Sequence, residues 1–197
     1  MESAGAADEA AASTDRERSR LNTRVAVTVA LLATFLGVCK VKDDNIVQAM
    51  QQAQADKLDH WNFYQARNIR EEVAAAAAAQ LKLAAVDAPP ARQEGYRAAI
   101  ASYEALVVDQ AKKKEELRQQ AEQDQKTYDA LNYRDDQFDL SDALIALAIS
   151  LLALTALTHK RWLYWLALVA TAGGVVMGLA GLLGWHLHPD ALSRLLS

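Results

Sequence analysis

With a single cysteine, Cys39, in 197 residues, no internal disulfide can staple this chain. Helix breakers are almost as scarce, with three prolines and eight glycines. Between Asp43 and Gln137 the only ones are Pro89, Pro90 and Gly95. Catalytic vocabulary is thin as well. No P-loop, no dinucleotide-binding glycine pattern and no G-x-S-x-G is present. The long polar segment holds only His60 and Ser102 of the residue types that could build a Ser-His or Cys-His pair. Asp56 and His60, at i and i+4, form one edge of a metal site, but such a site needs three or four ligands and no others stand nearby in the sequence. His186 and His188 diverge on a helix and, with Pro189, read as a chain exit. These absences argue against an enzyme and leave catalytic, cofactor-binding and metal-ligating residues unassigned, with no cofactor expected. The formal net charge of −4 lacks the basic face that nucleic acid requires.

What the chain has is apolar sequence in three uncharged runs: Val25 to Cys39, Ala143 to Thr158 and Trp162 to Trp185. A membrane-spanning helix needs roughly 20 such residues. The third run meets that length, and the first two meet it once their flanks are added, giving expected spans at 21–41, 138–158 and 162–187. A secretory signal is a rival reading of the first run, but twenty residues precede its core and no A-x-A site follows. Residues 1–20, rich in Ala, Ser and alternating charges, read as a disordered tail, and 188–197 as a C-terminal tail.

Orientation follows from the cations. Arg16, Arg18, Arg20 and Arg24 precede the first span, and Lys160 with Arg161 occupy the tight turn 159–161 between the second and third. Three spans put those two places on one side, which the positive-inside tendency makes cytoplasmic. The segment 42–137 is then extracytoplasmic, although Lys40 and Lys42 pull the other way.

That segment is dominated by Ala, Gln, Glu, Lys and Arg, all good helix formers. The Pro-Pro pair ends one helix and restricts Ala88, so a turn is expected near 87–91 between arms of nearly equal length. The expected fold class is all-α: three transmembrane helices, with a long coiled-coil-like antiparallel helical hairpin between the first and second, each arm roughly 65 Å long. In the second arm a heptad runs Tyr96, Ile100, Tyr103, Val107, Gln110, Lys114, Leu117, Ala121, Asp124, Tyr128, Leu131. The first arm's apolar stripe is Val47, Met50, Leu58, Trp61, Ile69 and Val73. Folding about the prolines sets residues whose numbers sum to about 177 opposite one another, so the run Ala74 to Ala79 is expected to face Tyr96, Ile100 and Tyr103.

Three aromatics crowd the stretch DHWNFYQARNIR. Trp61 and Tyr64 lie about 60° apart and can face the second arm near Leu117, whereas Phe63 points about 200° from Trp61. Phe63, with Arg67 and Arg70, therefore faces solvent or another chain, and Trp61, Phe63, Tyr64, Arg67 and Arg70 form the candidate protein-interaction set. In the third span Gly174, Gly178 and Gly181 form a small-residue stripe suited to close helix packing in lipid. No ionisable residue sits at mid-membrane, which disfavours a transporter. Asp139, Ser141 and Asp142 read as helix caps, and Trp162, Tyr164, Trp165 and Trp185 as interfacial anchors.

The stretch DKLDHWNFYQARNIRE, a charged helical arm, and then FDLSDALIALAISLLALTALTHKRWLYWLALVATAGG resemble a bacterial membrane-protein family, domain of unknown function 4337, from about Asp56 to Trp185. Arg67 and Arg70 stand where lysine would be equally expected. The resemblance implies a bacterial inner-membrane protein and brings no activity, cofactor or catalytic residue. The expected function is a non-enzymatic structural or scaffold protein: a homo-oligomer in the membrane, contacting an envelope protein partner. The alternative is an oligomeric channel or transporter accessory subunit whose glycine-rich third span lines or gates a path.

Overall fold

The computed structural model describes residues 2–185 and 187, with the side chains of 2–12 and 14 outside the description. His186, His188 and the tail 188–197 therefore lie outside the described residues. The fold is all-α: α1 spans Glu2–Val86, α2 Pro90–Thr158 and α3 Arg161–Leu183, with no strand among the described residues. All three helices contain a stretch long and apolar enough to cross a membrane.

The scarcity of breakers explains the small number of helices. Two expectations give way to it. Residues 2–20, expected as a disordered tail, are part of α1, because good helix formers predominate there and pairs such as Asp15 and Arg18, one turn apart, support the helix. Asp139, Ser141 and Asp142 are not caps, because α2 runs through them without interruption. Nothing between Gly95 and Thr158 stops a helix once started.

The chain divides into two compact units, one formed by 1–48 with 131–197 and the other by 49–130. In the first, the outer parts of α1 and α2 pack with α3 around Val25, Leu32, Ile145, Ala148, Leu152 and Ala167. At one end of this unit Arg161 pairs with Glu17 at 2.7 Å. The turn from α2 to α3 passes through His159, whose φ of 53° is left-handed and ends α2 as glycine would. At the other end α3 stops at Gly184, which adopts φ 70°. There α2 supplies the missing donors. Arg134 Nη2 donates to Gly181 O at 2.8 Å, and Gln137 Nε2 donates to Trp185 O at 2.7 Å and Leu187 O at 2.8 Å. Carbonyls left without an intrahelical partner are thus satisfied by a neighbouring helix, and the guanidinium suits the negative end of α3.

In the second unit, α1 ends at Val86 and α2 starts with Pro90, a residue well suited to a first helical position. Gln93 Nε2 reaches back to Ala85 O at 2.9 Å and Ala88 O at 3.1 Å, so the new helix caps the old one. Polar pairs then connect the two helices in opposite numerical order: Lys82 with Glu104, Glu71 with Lys114, Arg67 with Gln110, His60 with Asp124 and Lys57 with Gln125.

All of these pairs but Arg67 with Gln110 lie off the expected register, and the expected stripe is corrected as well. Ala78 lies beside Glu104 and Val107 rather than opposite Tyr96 and Ile100. On α1 Met50, Ala53, Lys57, His60, Tyr64, Arg67, Glu71, Ala74, Ala78, Leu81 and Ala85 are buried or half-buried and follow an unbroken alternation of three and four residues, with half-buried Asp56, Asn68 and Ala77 beside them. Of the apolar stripe read from the sequence within this unit only Met50 belongs to that seam; Leu58, Ile69 and Val73 are exposed. Polar side chains occupy the middle of the seam because each finds a partner across it. On α2 the positions from Tyr96 to Tyr128 in the expected heptad are buried or half-buried, Tyr103 excepted.

Candidate functional site

Helix α1 presents two opposite faces in the second unit, and the candidate interaction residues are divided between them. Tyr64 lies in the seam. Its ring meets Trp61 edge-on, centroids 5.2 Å apart at 72°, and Lys114 Nζ stands 5.9 Å from its centroid. Both geometries favour the aromatic quadrupole. Arg67 also lies in the seam, donating from Nη1 to Gln110 Oε1 at 3.1 Å. The two residues are therefore used within the chain. Trp61, 37% exposed, sits at the seam's edge rather than in it. Phe63 and Arg70 are fully on the outside.

About 180° from the seam runs a second line at the same heptad spacing: Leu58, Ile69, Val73, Ala76 and Leu83. Their large members are 55% (Leu58), 61% (Ile69), 63% (Val73) and 75% (Leu83) exposed, while Phe63, off this line, is 60% exposed. Leu58, Ile69 and Val73 of the apolar stripe read from the sequence thus lie on the side of α1 away from α2.

In the first unit the three glycines are contact points for the other two helices. A Cβ on Gly174 would come within 2.7 Å of Ile145 Cγ1 and 3.2 Å of Ser141 O; on Gly178, 2.7 Å from Phe35 Cζ and 2.8 Å from Ser141 Oγ; on Gly181, 2.9 Å from the Phe138 ring. Ser141 Oγ donates to Gly174 O at 2.8 Å in a buried setting. One glycine stripe thus admits a serine, an isoleucine and two phenylalanines from α1 and α2. That closeness strengthens dispersion between the helices and permits the short Ser141–Gly174 hydrogen bond.

The residues now in view, from the apolar start of α1 to the end of α3, decide the family. The chain belongs to the domain of unknown function family DUF4337, whose model matches residues 21–184. The match begins well before Asp56, where the resemblance in the sequence starts, so it takes in the first apolar run together with both later ones. No curated protein and no solved structure matches the chain.

Two clusters outside the expected site residues complete the picture. Near the carboxyl end of the first apolar run, Asp43 is buried and accepts from Lys40 Nζ at 2.7 Å through Oδ2. Asp135 faces it, and burial first, then a hydrogen bond to Asp43 and the charges of Asp139, Asp43 and Asp136, push its carboxyl up to about 6. A proton on Asp135 is what allows the two carboxyls to bond. No group of three His, Cys, Asp or Glu among the described residues is arranged to hold a metal ion. At the opposite end of the unit Arg20, Arg24 and Arg161 line a common cavity. The sequence marked these arginines only as topological signals. Their convergence depends on the α2–α3 turn lying against α1, which spacing along the chain does not reveal.

Proposed function

We propose that this member of the family is a non-enzymatic integral membrane protein that crosses the bilayer three times, presents residues 49–130 as an antiparallel helical hairpin outside the cytoplasm, and self-associates as a scaffold. The setting is a bacterial inner membrane with the amino terminus cytoplasmic, and an envelope protein is the further partner. The pairing of residues 57 to 82 with 125 to 104 in reverse order supports the hairpin. Glu17 beside Arg161 supports an arrangement in which the start of the first span and the 159–161 turn share one side, as the positive-inside count requires.

The observation that carries self-association is the outward heptad of α1. Leu58, Ile69, Val73 and Leu83 stand 11, 4 and 10 residues apart, intervals that fit a heptad, on a face left exposed among the described residues. Scattered exposed apolar residues are ordinary, but a row in register is the surface a second helix of the same kind packs against. A path along the glycine face of α3 has less support, because Phe35, Phe138, Ser141 and Ile145 already occupy that face.

The test is the mass of the detergent-solubilised protein. The wild type is expected to run as an oligomer, and Ile69→Glu with Val73→Glu to run as a monomer with unchanged helicity. Phe63→Ala, off the row, is expected to leave the mass unaltered. A monomeric wild type, or an oligomer indifferent to both glutamates, refutes self-association through this face.

A further inference from the structure

At the end of the first unit where α1 meets the α2–α3 turn there is a cavity of about 640 Å³, and Arg20, Arg24 and Arg161 converge on it. Among the described residues Glu17 is the single carboxylate in its lining, and it is engaged with Arg161 at 2.7 Å. Among the described residues no carboxylate is bonded to Arg20 or Arg24. Two turns of α1 and the first turn of α3 thus hold an excess of positive charge in one recess, where mutual repulsion is relieved by an anion. Guanidinium groups suit phosphate because each offers a planar fork of donors. A smaller cavity of about 280 Å³ adjoins it through Glu17, Leu21 and Arg161, and there His159 Nδ1 is buried without a hydrogen-bond partner among the described residues.

The remaining walls are apolar or amphipathic. Tyr164 and Trp165 meet edge-on at 6.3 Å, Tyr164 Oη stands 3.5 Å from Thr28 Oγ1, and Leu21 and Leu168 complete the lining. Immediately along the same helices Val27, Leu31, Leu166 and Val169 are exposed apolar side chains. A phosphate held by the arginines would therefore have hydrocarbon-seeking surface directly beneath it. A free anion uses only the upper half of this arrangement, whereas a lipid uses both. Basic pockets between spans on the cytoplasmic side are suited to anionic headgroups.

We infer that this recess is a binding site for the headgroup of an anionic phospholipid, with Arg20, Arg24 and Arg161 on the phosphate and Tyr164 and Trp165 at the glycerol level. The inference rests on the reading that the chain spans a bilayer. Each arginine is expected to contribute about fivefold in preference for the charged lipid.

The experiment uses the full chain embedded in vesicles of equal phosphatidylglycerol and phosphatidylcholine, then purified in mild detergent, with the retained lipid quantified by mass spectrometry. Phosphatidylglycerol is expected to be enriched roughly tenfold or more. The variant Arg20→Gln, Arg24→Gln, Arg161→Gln should lose the enrichment. An equal loss of charge through Lys112→Gln, Lys113→Gln and Lys126→Gln should keep it. Glu17→Gln should raise it, an increase that a folding defect cannot produce. Equal retention of both lipids by the wild type, or no response to Glu17→Gln and the arginine changes, overturns the site. Displacement of the lipid by millimolar glycerol 3-phosphate overturns the lipid assignment in favour of a soluble phosphate. Release of the protein from the vesicles by alkaline carbonate refutes the spanning reading instead, so the two failures are distinguishable.

Discussion

Adding one methyl group at Gly178 tests the packing of the three apolar helices at its tightest point. The new Cβ would lie 2.7 Å and 2.8 Å from two atoms of the Phe35 ring and 2.8 Å from Ser141 Oγ. Ordinary carbon contacts lie at about 3.5–4.0 Å, so each contact is too close by most of an ångström. Neither neighbour yields cheaply. The phenyl ring is rigid and packed against the core, and Ser141 Oγ is fixed by its 2.8 Å bond to Gly174 O. Overpacking of this kind costs about 1–3 kcal/mol. Replacing glycine by alanine in a helix returns at most about 1 kcal/mol. Taking that gain at its full value, Gly178→Ala is therefore expected to lose about 0–2 kcal/mol, where the gain alone would make it more stable. At Gly37, where a Cβ meets nothing within 4 Å, the same substitution keeps only the helical gain and should be neutral or slightly stabilising. Reversible unfolding in mixed micelles, followed by circular dichroism, measures both. Phe35→Leu should relieve part of the Gly178→Ala penalty, with a coupling of about 1 kcal/mol in the double-mutant cycle. Equal stability of Gly178→Ala and Gly37→Ala, or strict additivity with Phe35→Leu, would refute the packing described here.

Other perturbations address the polar elements. Because Asp135 holds its proton to about 6 in the folded protein against 3.8 for the unperturbed group, its contribution favours folding fully below about pH 4 and is lost as pH rises through 6. Thermal midpoints measured from pH 4 to 7 should fall across that window, and Asp135→Asn should flatten the profile and raise the midpoint at pH 7; an unchanged profile would contradict the carboxyl pairing with Asp43. In the seam, Lys114 contacts Glu71 at 2.7 Å and Asn68 at 3.0 Å, so Glu71→Leu alone should lower the midpoint by stranding the ammonium. Glu71→Leu with Lys114→Leu should restore or exceed the wild-type midpoint, and a double variant weaker than the single would remove the pair from the seam.

The sequence revealed the helical class, the three apolar stretches and the family, because those depend on composition and on uninterrupted runs. The α2 seam was legible for the same reason, being largely apolar from Tyr96 to Tyr128. The α1 seam was not. Searching for apolar periodicity finds Leu58, Ile69 and Val73, yet the side facing α2 carries Lys57, His60, Arg67 and Glu71, whose burial is acceptable only because Gln125, Asp124, Gln110 and Lys114 meet them. A polar seam is recognisable only when both strands of its bonding pattern are known. Register escaped for a related reason: the true offset depends on how Gln93 and the two prolines turn the chain, a local geometry that counting from the midpoint ignores. The arginine recess was invisible because its members come from positions 20, 24 and 161.

The spanning topology is tested most directly by cysteine accessibility in sealed membranes. With Cys39→Ser as background, Pro89→Cys and Lys160→Cys are exposed in turn to a membrane-impermeant thiol reagent before and after permeabilisation. The account predicts modification of position 89 from outside and of position 160 only once the membrane is opened. Modification of both from the same side would contradict it.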